Sequence, residues 1–267
     1  KYHYFRLKVM VLSGFRKEIP MKPIISPVGD CAISIDFGQV IDPKINRQIR
    51  QVIEQIKLLQ LDGIIELVPT YCALLIQYDA MVYTYSDICG TLNPILQESV
   101  ADSGNERVTI VEIPTIYGGE YGPDLGFVAS HNHISEAEVV SIHSGTDYLV
   151  YMLGFIPGFT YLGGMDPRIA TPRLSSPRTL IPAGSVGIAG EQTGIYPSDS
   201  PGGWQIIGRT PVTMYDMSKK QAALLRAGDY VRYVPIDDTE FYRIKSLGSA
   251  YVPVVHEVEV GDLRGFK

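Results

Sequence analysis

The sequence predicts an α+β domain of ferredoxin-like type followed by a mainly β domain built as a barrel. Three observations carry that prediction. Strand and helix signals alternate as β-α-β-β-α through the first hundred residues. A polar, glycine-containing stretch, Ala101 to Asn105, then interrupts the pattern. Beyond Thr146 the chain is strand-like, dense in glycine and proline and poor in helix signals. The expected divisions are an N-terminal extension at 1–20, the α+β domain at 21–101 and the barrel at 106–267. The extension looks unlike the rest of the chain, and Met21 reads as a natural start.

In the first domain, Ile24 to Phe37 is apolar and β-branched, with a turn at Pro27-Val28-Gly29-Asp30. Asp42 followed by Pro43 predicts a helix N-cap and first helical residue. Ile45, Ile49, Val52, Ile53, Ile56 and Leu59 then recur at helical spacing, and Asp62-Gly63 ends the run. Strands are expected at Ile64–Val68 and Tyr71–Tyr78. A weaker helix comes next near Tyr85–Ser99, interrupted by Gly90 and Pro94.

In the second domain, Val108–Pro114 reads as a strand and Pro123 to about Ser130 as a helix. Ser135 with Glu138 predicts a capping box, Ile134 with Val139 a hydrophobic staple, and Gly145 the end of that helix. A further short helix is expected between a capping box at Ser218 and Gln221 and a stop at Gly228. Val231–Ile236 and Val254–Val260 close the domain as strands.

Composition narrows the function. Of 267 residues, 45% are hydrophobic and 19% charged, enough apolar material to bury a core. Net charge is −6, with no basic run to carry phosphate contacts, so no nucleic-acid partner is expected. Cys31, Cys72 and Cys89 are widely spaced and form no C-x-x-C pair, which argues against a disulfide scaffold or zinc ribbon. No apolar run reaches the ~18 residues of a membrane helix, and the short stretch Val9 to Leu12 lacks the features of a signal peptide. These features predict a cytoplasmic protein without a membrane partner.

Neither G-x-x-x-x-G-K-[ST] nor a strand-borne G-x-G-x-x-G occurs. Ser185, in Ala183-Gly184-Ser185-Val186-Gly187, stands one position off a nucleophile elbow. His131 and His133 form an H-x-H pair that reads as solvated helix-end histidines; no metal site is expected. His143 lies on a helix among apolar residues, readable as a structural or a catalytic histidine. His143 and Ser185 are the candidate catalytic residues. Downstream, Gly154 to Gly164 alternates aromatics with Gly and Pro and includes Pro157, Gly158, Phe159 and Tyr161. Such a loop can turn backbone N–H groups toward an anionic ligand, or it can be a turn whose aromatics fill the core. Arg173 and Arg178 each follow a proline and offer forks for carboxylate or phosphate, or lie on the surface. Gly184, then Gln192, Thr193 and Tyr196, then Gly202, Gly203 and Trp204 complete a set suited to a loop-lined binding site.

At these residues the sequence resembles the 5-oxoprolinase B-subunit family, also known as allophanate hydrolase subunit 1 or kinase-A-inhibitor-like. The runs at Gly154–Gly164, Pro172–Arg178, Pro182–Val186, Gln192–Pro197 and Pro201–Trp204 carry the match. Tyr121–Leu125, the His143 region and, more weakly, Gly29-Asp30 and Val68-Pro69 extend it from about Met21 to the C-terminus. The resemblance implies a ferredoxin-like domain followed by a cyclophilin-like β-barrel. It implies a polypeptide that opens 5-oxoproline to glutamate with ATP, together with 5-oxoprolinase subunits A and C; the lack of a P-loop, a metal cluster and a triad in the sequence predicts that the chain alone is inactive. Which of the three holds ATP is left open. The alternative that the resemblance implies is a binding module inhibiting a sporulation-type histidine kinase. On the enzyme reading, Arg173 and Arg178 bind an anionic group, and Phe155, Phe159, Tyr161, Tyr196 and Trp204 are expected to be exposed anchors for the C subunit.

Overall fold

The computed structural model describes residues 23–98 and 107–265. The expected extension at 1–20 and the boundary at Ala101–Asn105 lie outside them. The first unit runs β1 (Ile24–Pro27), β2 (Ala32–Asp36), α1 (Pro43–Leu59), β3 (Ile64–Pro69), β4 (Ala73–Tyr78) and α2 (Tyr85–Glu98). Its strands form one antiparallel sheet in the order β1-β2-β4-β3. Alternation decides which face is covered. Ile33 and Ile35 of β2 and Leu74, Ile76 and Tyr78 of β4 are buried, and they meet Ile49, Val52, Ile56, Ile88 and Leu92 from the two helices.

Local chemistry sets the ends of α1. Asp42 caps it by accepting from the Lys44 backbone N–H, Pro43 occupies the first turn, and Gln60 turns the chain away in a left-handed conformation. That end lies ahead of the expected stop at Asp62-Gly63. The interruptions in α2 do not break it. Pro94 forgoes a bond to the carbonyl of Gly90, while Ile88, Leu92, Ile95 and Leu96 hold the helix by burial.

The second unit begins with the long strand β5 (Arg107–Tyr117), followed by α3 (Leu125–His131) and α4 (Glu136–Ser144). Then come β6 (Asp147–Leu153), β7 (Thr160–Gly163), β8 (Arg178–Ile181), β9 (Ser185–Ala189), β10 (Gln192–Ile195), β11 (Ser200–Gly202), β12 (Gln205–Arg209) and β13 (Tyr230–Pro235). The chain closes with α5 (Asp238–Leu247) and β14 (Val255–Glu259). The main sheet runs β10-β9-β12-β5-β13-β6-β7, with β14 also paired to β5. β7 packs beside β10, so the sheet curls into a nearly closed barrel. β5 and β13 are its one parallel pair among the described residues. A two-stranded ribbon, β8 with β11, stands apart from it.

The capping box at the start of α4 forms as expected, with Ser135 and Glu138 each bonding the other's backbone N–H. The one expected around Ser218 and Gln221 does not. Ser218 instead donates its N–H and hydroxyl to Asp216, Gln221 is bound by Arg226, and the segment is irregular. A short polar side chain competing for nearby backbone groups makes a turn as readily as a helix start. The helix that does form in this region, α5, is capped by Asp237 through the Glu240 N–H. Asp237, the acids of the first turn and Gly248 are its sequence signals.

The two units meet along α1. Its apolar stripe faces its own sheet, while Asn46 and Arg50 face the barrel. Asn46 is fully buried and donates from Nδ2 to the Tyr151 carbonyl at 3.1 Å, while accepting from Arg50 Nε at 3.2 Å. Arg50 lies so close to Gly228 that a Cβ there would sit 2.4 Å from Arg50 Cδ.

Candidate functional site

Two constellations in the barrel unit, one polar and one mainly apolar, draw on the expected site residues. The first surrounds His143. Its Nδ1 lies 2.8 Å from Tyr117 Oη and its Nε2 2.8 Å from Thr193 Oγ1, and Thr193 donates onward to the Gly187 carbonyl at 3.1 Å. The consistent arrangement has Tyr117 donating to Nδ1 and Nε2–H donating to Thr193. Tyr148 Oη donates to the His143 carbonyl, and the Tyr233 ring lies 4.4 Å from the imidazole centroid to centroid. Burial drives the His143 pKa from 6.5 down to about 3, so the ring is neutral.

Both His143 nitrogens are engaged and its side chain is sealed from solvent. No hydrogen bond joins it to Ser185, itself buried at the start of β9. In this arrangement His143 and Ser185 do not form a hydrogen-bonded nucleophile–base pair, and the structural reading of His143 accounts for its contacts. His143 pins α4 to β5 and β10, and Thr193 is its partner in the barrel interior. His131 and His133 are exposed, and no group of three or more potential metal ligands occurs among the described residues.

The second constellation lies under the motif loops. Phe159, Tyr196, Trp204, Ile181 and Ile206 form a separate apolar cluster, with Tyr161 packed against it. Phe159 is edge-on to Tyr161, Tyr196 and Trp204 at centroid distances of 5.2, 5.6 and 5.7 Å. Three of the five expected surface anchors, Phe159, Tyr196 and Trp204, are thus core residues, which corrects that expectation. Phe155 remains as an anchor candidate: it is 66% exposed, adopts φ +68°, and meets Phe159 edge-on. A bulky residue held in the left-handed region is strained.

Close packing, rather than ligand contact, accounts for two of the motif glycines. Gly184 has φ +82°, and a Cβ there would lie 2.2 Å from the Thr210 carbonyl oxygen. At Gly202 it would lie 2.3 Å from Tyr196 Oη. Gly158 is likewise crowded by Tyr215, whereas Gly203 has ordinary room and Pro157 is exposed.

The two motif arginines meet different fates. Arg178 forms a two-pronged pair with Asp124, NH2 to Oδ1 at 2.7 Å and NH1 to Oδ2 at 2.9 Å. Asp124 Oδ2 also accepts from the Ile206 N–H at 2.6 Å. Arg178 thus clasps α3, β8 and β12 together, and its guanidinium is already held by a carboxylate of this chain. Arg173 is exposed, with its guanidinium 5.8 Å from the Trp204 ring centroid. Both arginines favour the ionised form of the nearby Tyr196 hydroxyl, but burial outweighs them and lifts its pKa to about 12. Arg173 is the cation at this corner that no carboxylate holds among the described residues.

The chain's first unit also reaches this face. Tyr71 packs tilted against Tyr151 at 5.1 Å and edge-on to Tyr161 at 6.2 Å, and its hydroxyl accepts from Gln192 Nε2. Burial lifts its pKa to about 12. Gln192 therefore serves the seam between units. Sequence reasoning missed both Tyr71 and the clasp by Asp124. A tyrosine in a turn gives no signal, whereas an aspartate just ahead of a helix does.

Comparison with known proteins gives the chain its relatives. A family profile described as "Carboxyltransferase domain, subdomain C and D" matches residues 23–225. The B subunit of 5-oxoprolinase from Bacillus subtilis (strain 168) is 45% identical over 233 residues, covering 83% of this chain and 96% of that protein. The solved structure of TTHA0988 is similar with a TM-score of 0.69 and 35% identity, over 77% of this chain and 40% of that one. The K. lactis urea amidolyase structure shares the mixed α/β fold at a TM-score of 0.75, with 23% identity, over 91% of this chain and 17% of that one. The profile spans most of the chain and the B. subtilis relative aligns over nearly its whole length, so the chain belongs to the 5-oxoprolinase B-subunit family of carboxyltransferase-type subdomains.

Proposed function

We propose that this chain is the B subunit of an ATP-dependent 5-oxoprolinase, working in the cytoplasm with subunits A and C to open 5-oxo-L-proline to L-glutamate. The observation that carries the reading is the 45% identity to the B. subtilis B subunit across 96% of that protein. On this reading the first unit is a ferredoxin-like domain, and the second a cyclophilin-like barrel presenting the motif face. Arg173 holds an anionic group there, the substrate carboxylate or a phosphate. Phe155 is an anchor for the C subunit. The motif face brings no nucleophile–base pair of its own, so the chain alone turns over neither substrate. The coverage supports a module that works beside others, since such a module occupies 40% of TTHA0988 and 17% of the urea amidolyase chain.

The motif loops do not fit a triphosphate. Gly154, Gly184 and Gly190 donate their N–H groups to the carbonyls of Phe159, Tyr196 and Thr171. A phosphate cradle needs such groups turned outward. These three glycines therefore supply no phosphate cradle, and no step through ATP is placed on them. The test is reconstitution from purified chains with ATP and 5-oxoproline, reading glutamate release. Turnover that requires all three subunits is expected. Equal turnover without this chain, or robust turnover by it alone, would overturn the proposal.

A further inference from the structure

A concave site lies on the seam between the two units, away from Phe159, Tyr196, Trp204 and Arg173; of the motif runs only Gly163 and Gly164 line it. It is a cleft of about 390 Å³ between the start of α1 and the barrel strands β6 and β13. That volume is within the ~300–1,000 Å³ of small-molecule sites, which occur preferentially between domains. One wall is apolar and fixed: Leu149, Tyr151 and Tyr230 are all buried, with Pro43 facing them. The other wall carries Lys44 and Arg47, three residues apart on one side of α1.

Two acids also line the cleft, and both are engaged elsewhere. Asp42 accepts from the Lys44 backbone N–H as the cap of α1. The Asp147 side chain is fully buried and held two-pronged by Arg232 at 2.7 and 2.8 Å, and it also accepts from the Arg264 N–H at 2.8 Å. No acidic side chain pairs with Lys44 among the described residues. The cleft therefore offers the Lys44 ammonium on one side, with Arg47, which has a partner of its own, one turn along, and a rigid, partly aromatic surface on the other.

We propose that this cleft binds a small organic carboxylate, with the carboxylate against Lys44 and Arg47 and the apolar body against Leu149, Tyr151 and Tyr230. Bare phosphate would use the charge and waste the apolar wall. A neutral molecule of the same shape would leave Lys44 without a counter-charge. Lys44 and Arg47 come from the first unit and the tyrosines from the second, so an occupant bridges the seam. Tyr151 also packs against Tyr71, which contacts Tyr161 and Gln192, so the bridge lies one aromatic contact from the motif face.

The test is binding of benzoate to the full chain, followed by calorimetry and ligand-observed NMR, with benzamide and inorganic phosphate as companions. Benzoate should bind more tightly than either. Lys44→Glu should weaken benzoate at least tenfold without lowering the unfolding temperature, and Arg47→Gln should weaken it in the same direction. Lys57→Glu, at the far exposed end of α1, should leave binding unchanged. Benzoate affinity insensitive to Lys44→Glu, or lost equally in Lys57→Glu, would overturn the proposal. So would benzamide or phosphate binding as tightly as benzoate. Neither outcome bears on the 5-oxoprolinase reading, which stands or falls on glutamate release.

Discussion

The barrel interior and the aromatic corner beneath the motif loops are both buried, but only one of them shows polar chemistry to the surface. In the interior, His143, Tyr117 and Thr193 satisfy one another and end on the Gly187 carbonyl. At the corner, Phe159, Tyr196 and Trp204 are also buried, yet Arg173 lies on them in solvent and Phe155 projects beside them. A closed hydrogen-bond chain gives rigidity. A rigid aromatic base with an exposed cation on top gives a place to bind. Residues that shape the site are thereby separated from residues that can touch a ligand.

That separation is most exposed to challenge at the clasp below the corner. Asp124→Ala leaves Arg178 and the Ile206 N–H without their acceptor. It should cost about 3 kcal/mol, the lower end for breaking a buried pair because Arg178 is one-third exposed. The chemical-denaturation midpoint at constant m-value reads it. Next comes Phe155→Ser, which removes an exposed ring and should leave the folded chain nearly as stable. On the proposed function it should weaken association with the C subunit by about 2 kcal/mol, roughly thirtyfold in Kd. Calorimetric titration decides this, and unchanged affinity removes Phe155 from the interface.

The interior answers to pH instead. The folded chain holds His143 neutral down to about pH 3, whereas the unfolded chain protonates it near 6.5. Stability from this group is therefore full above about 6.5 and is lost as pH falls below it. The slope is at most ~1.4 kcal/mol per pH unit. Thermal melts of wild type and His143→Gln between about pH 7.5 and 5, spanning the ordinary histidine pKa, should show the steeper decline in wild type. Parallel declines would contradict a neutral, buried imidazole. The smallest effect is expected for the stability of Arg173→Ala, below ~1 kcal/mol, the scale of an exposed cation–π contact.

Much of the fold is legible in the sequence because local signals agree with burial. Asp42-Pro43 begins α1, Ser135 with Glu138 begins α4, and the apolar spacing of Ile45 to Ile56 names the packed face. Local signals fail where tertiary contacts decide the outcome. Ser218 has a capping-box pattern but bonds Asp216 instead, while α2 runs through Pro94 because its apolar face is buried. The candidate site is legible as a set of motifs but not as roles. Glycines at 184 and 202 look like ligand loops and are demanded by backbone and side-chain crowding. Arg173 and Arg178 look alike in sequence, and only the position of Asp124, 54 residues upstream of Arg178, distinguishes them.

On the proposed function, Arg173 serves the reaction while Arg178 serves the fold. Turnover and stability measured together on Arg173→Ala decide it, using the chain reconstituted with subunits A and C and assayed for glutamate release. The expected result is an unfolding temperature close to wild type and kcat/KM lowered at least tenfold, the loss of one charged contact worth ~1.5–3 kcal/mol. Wild-type turnover from a folded Arg173→Ala chain would contradict it.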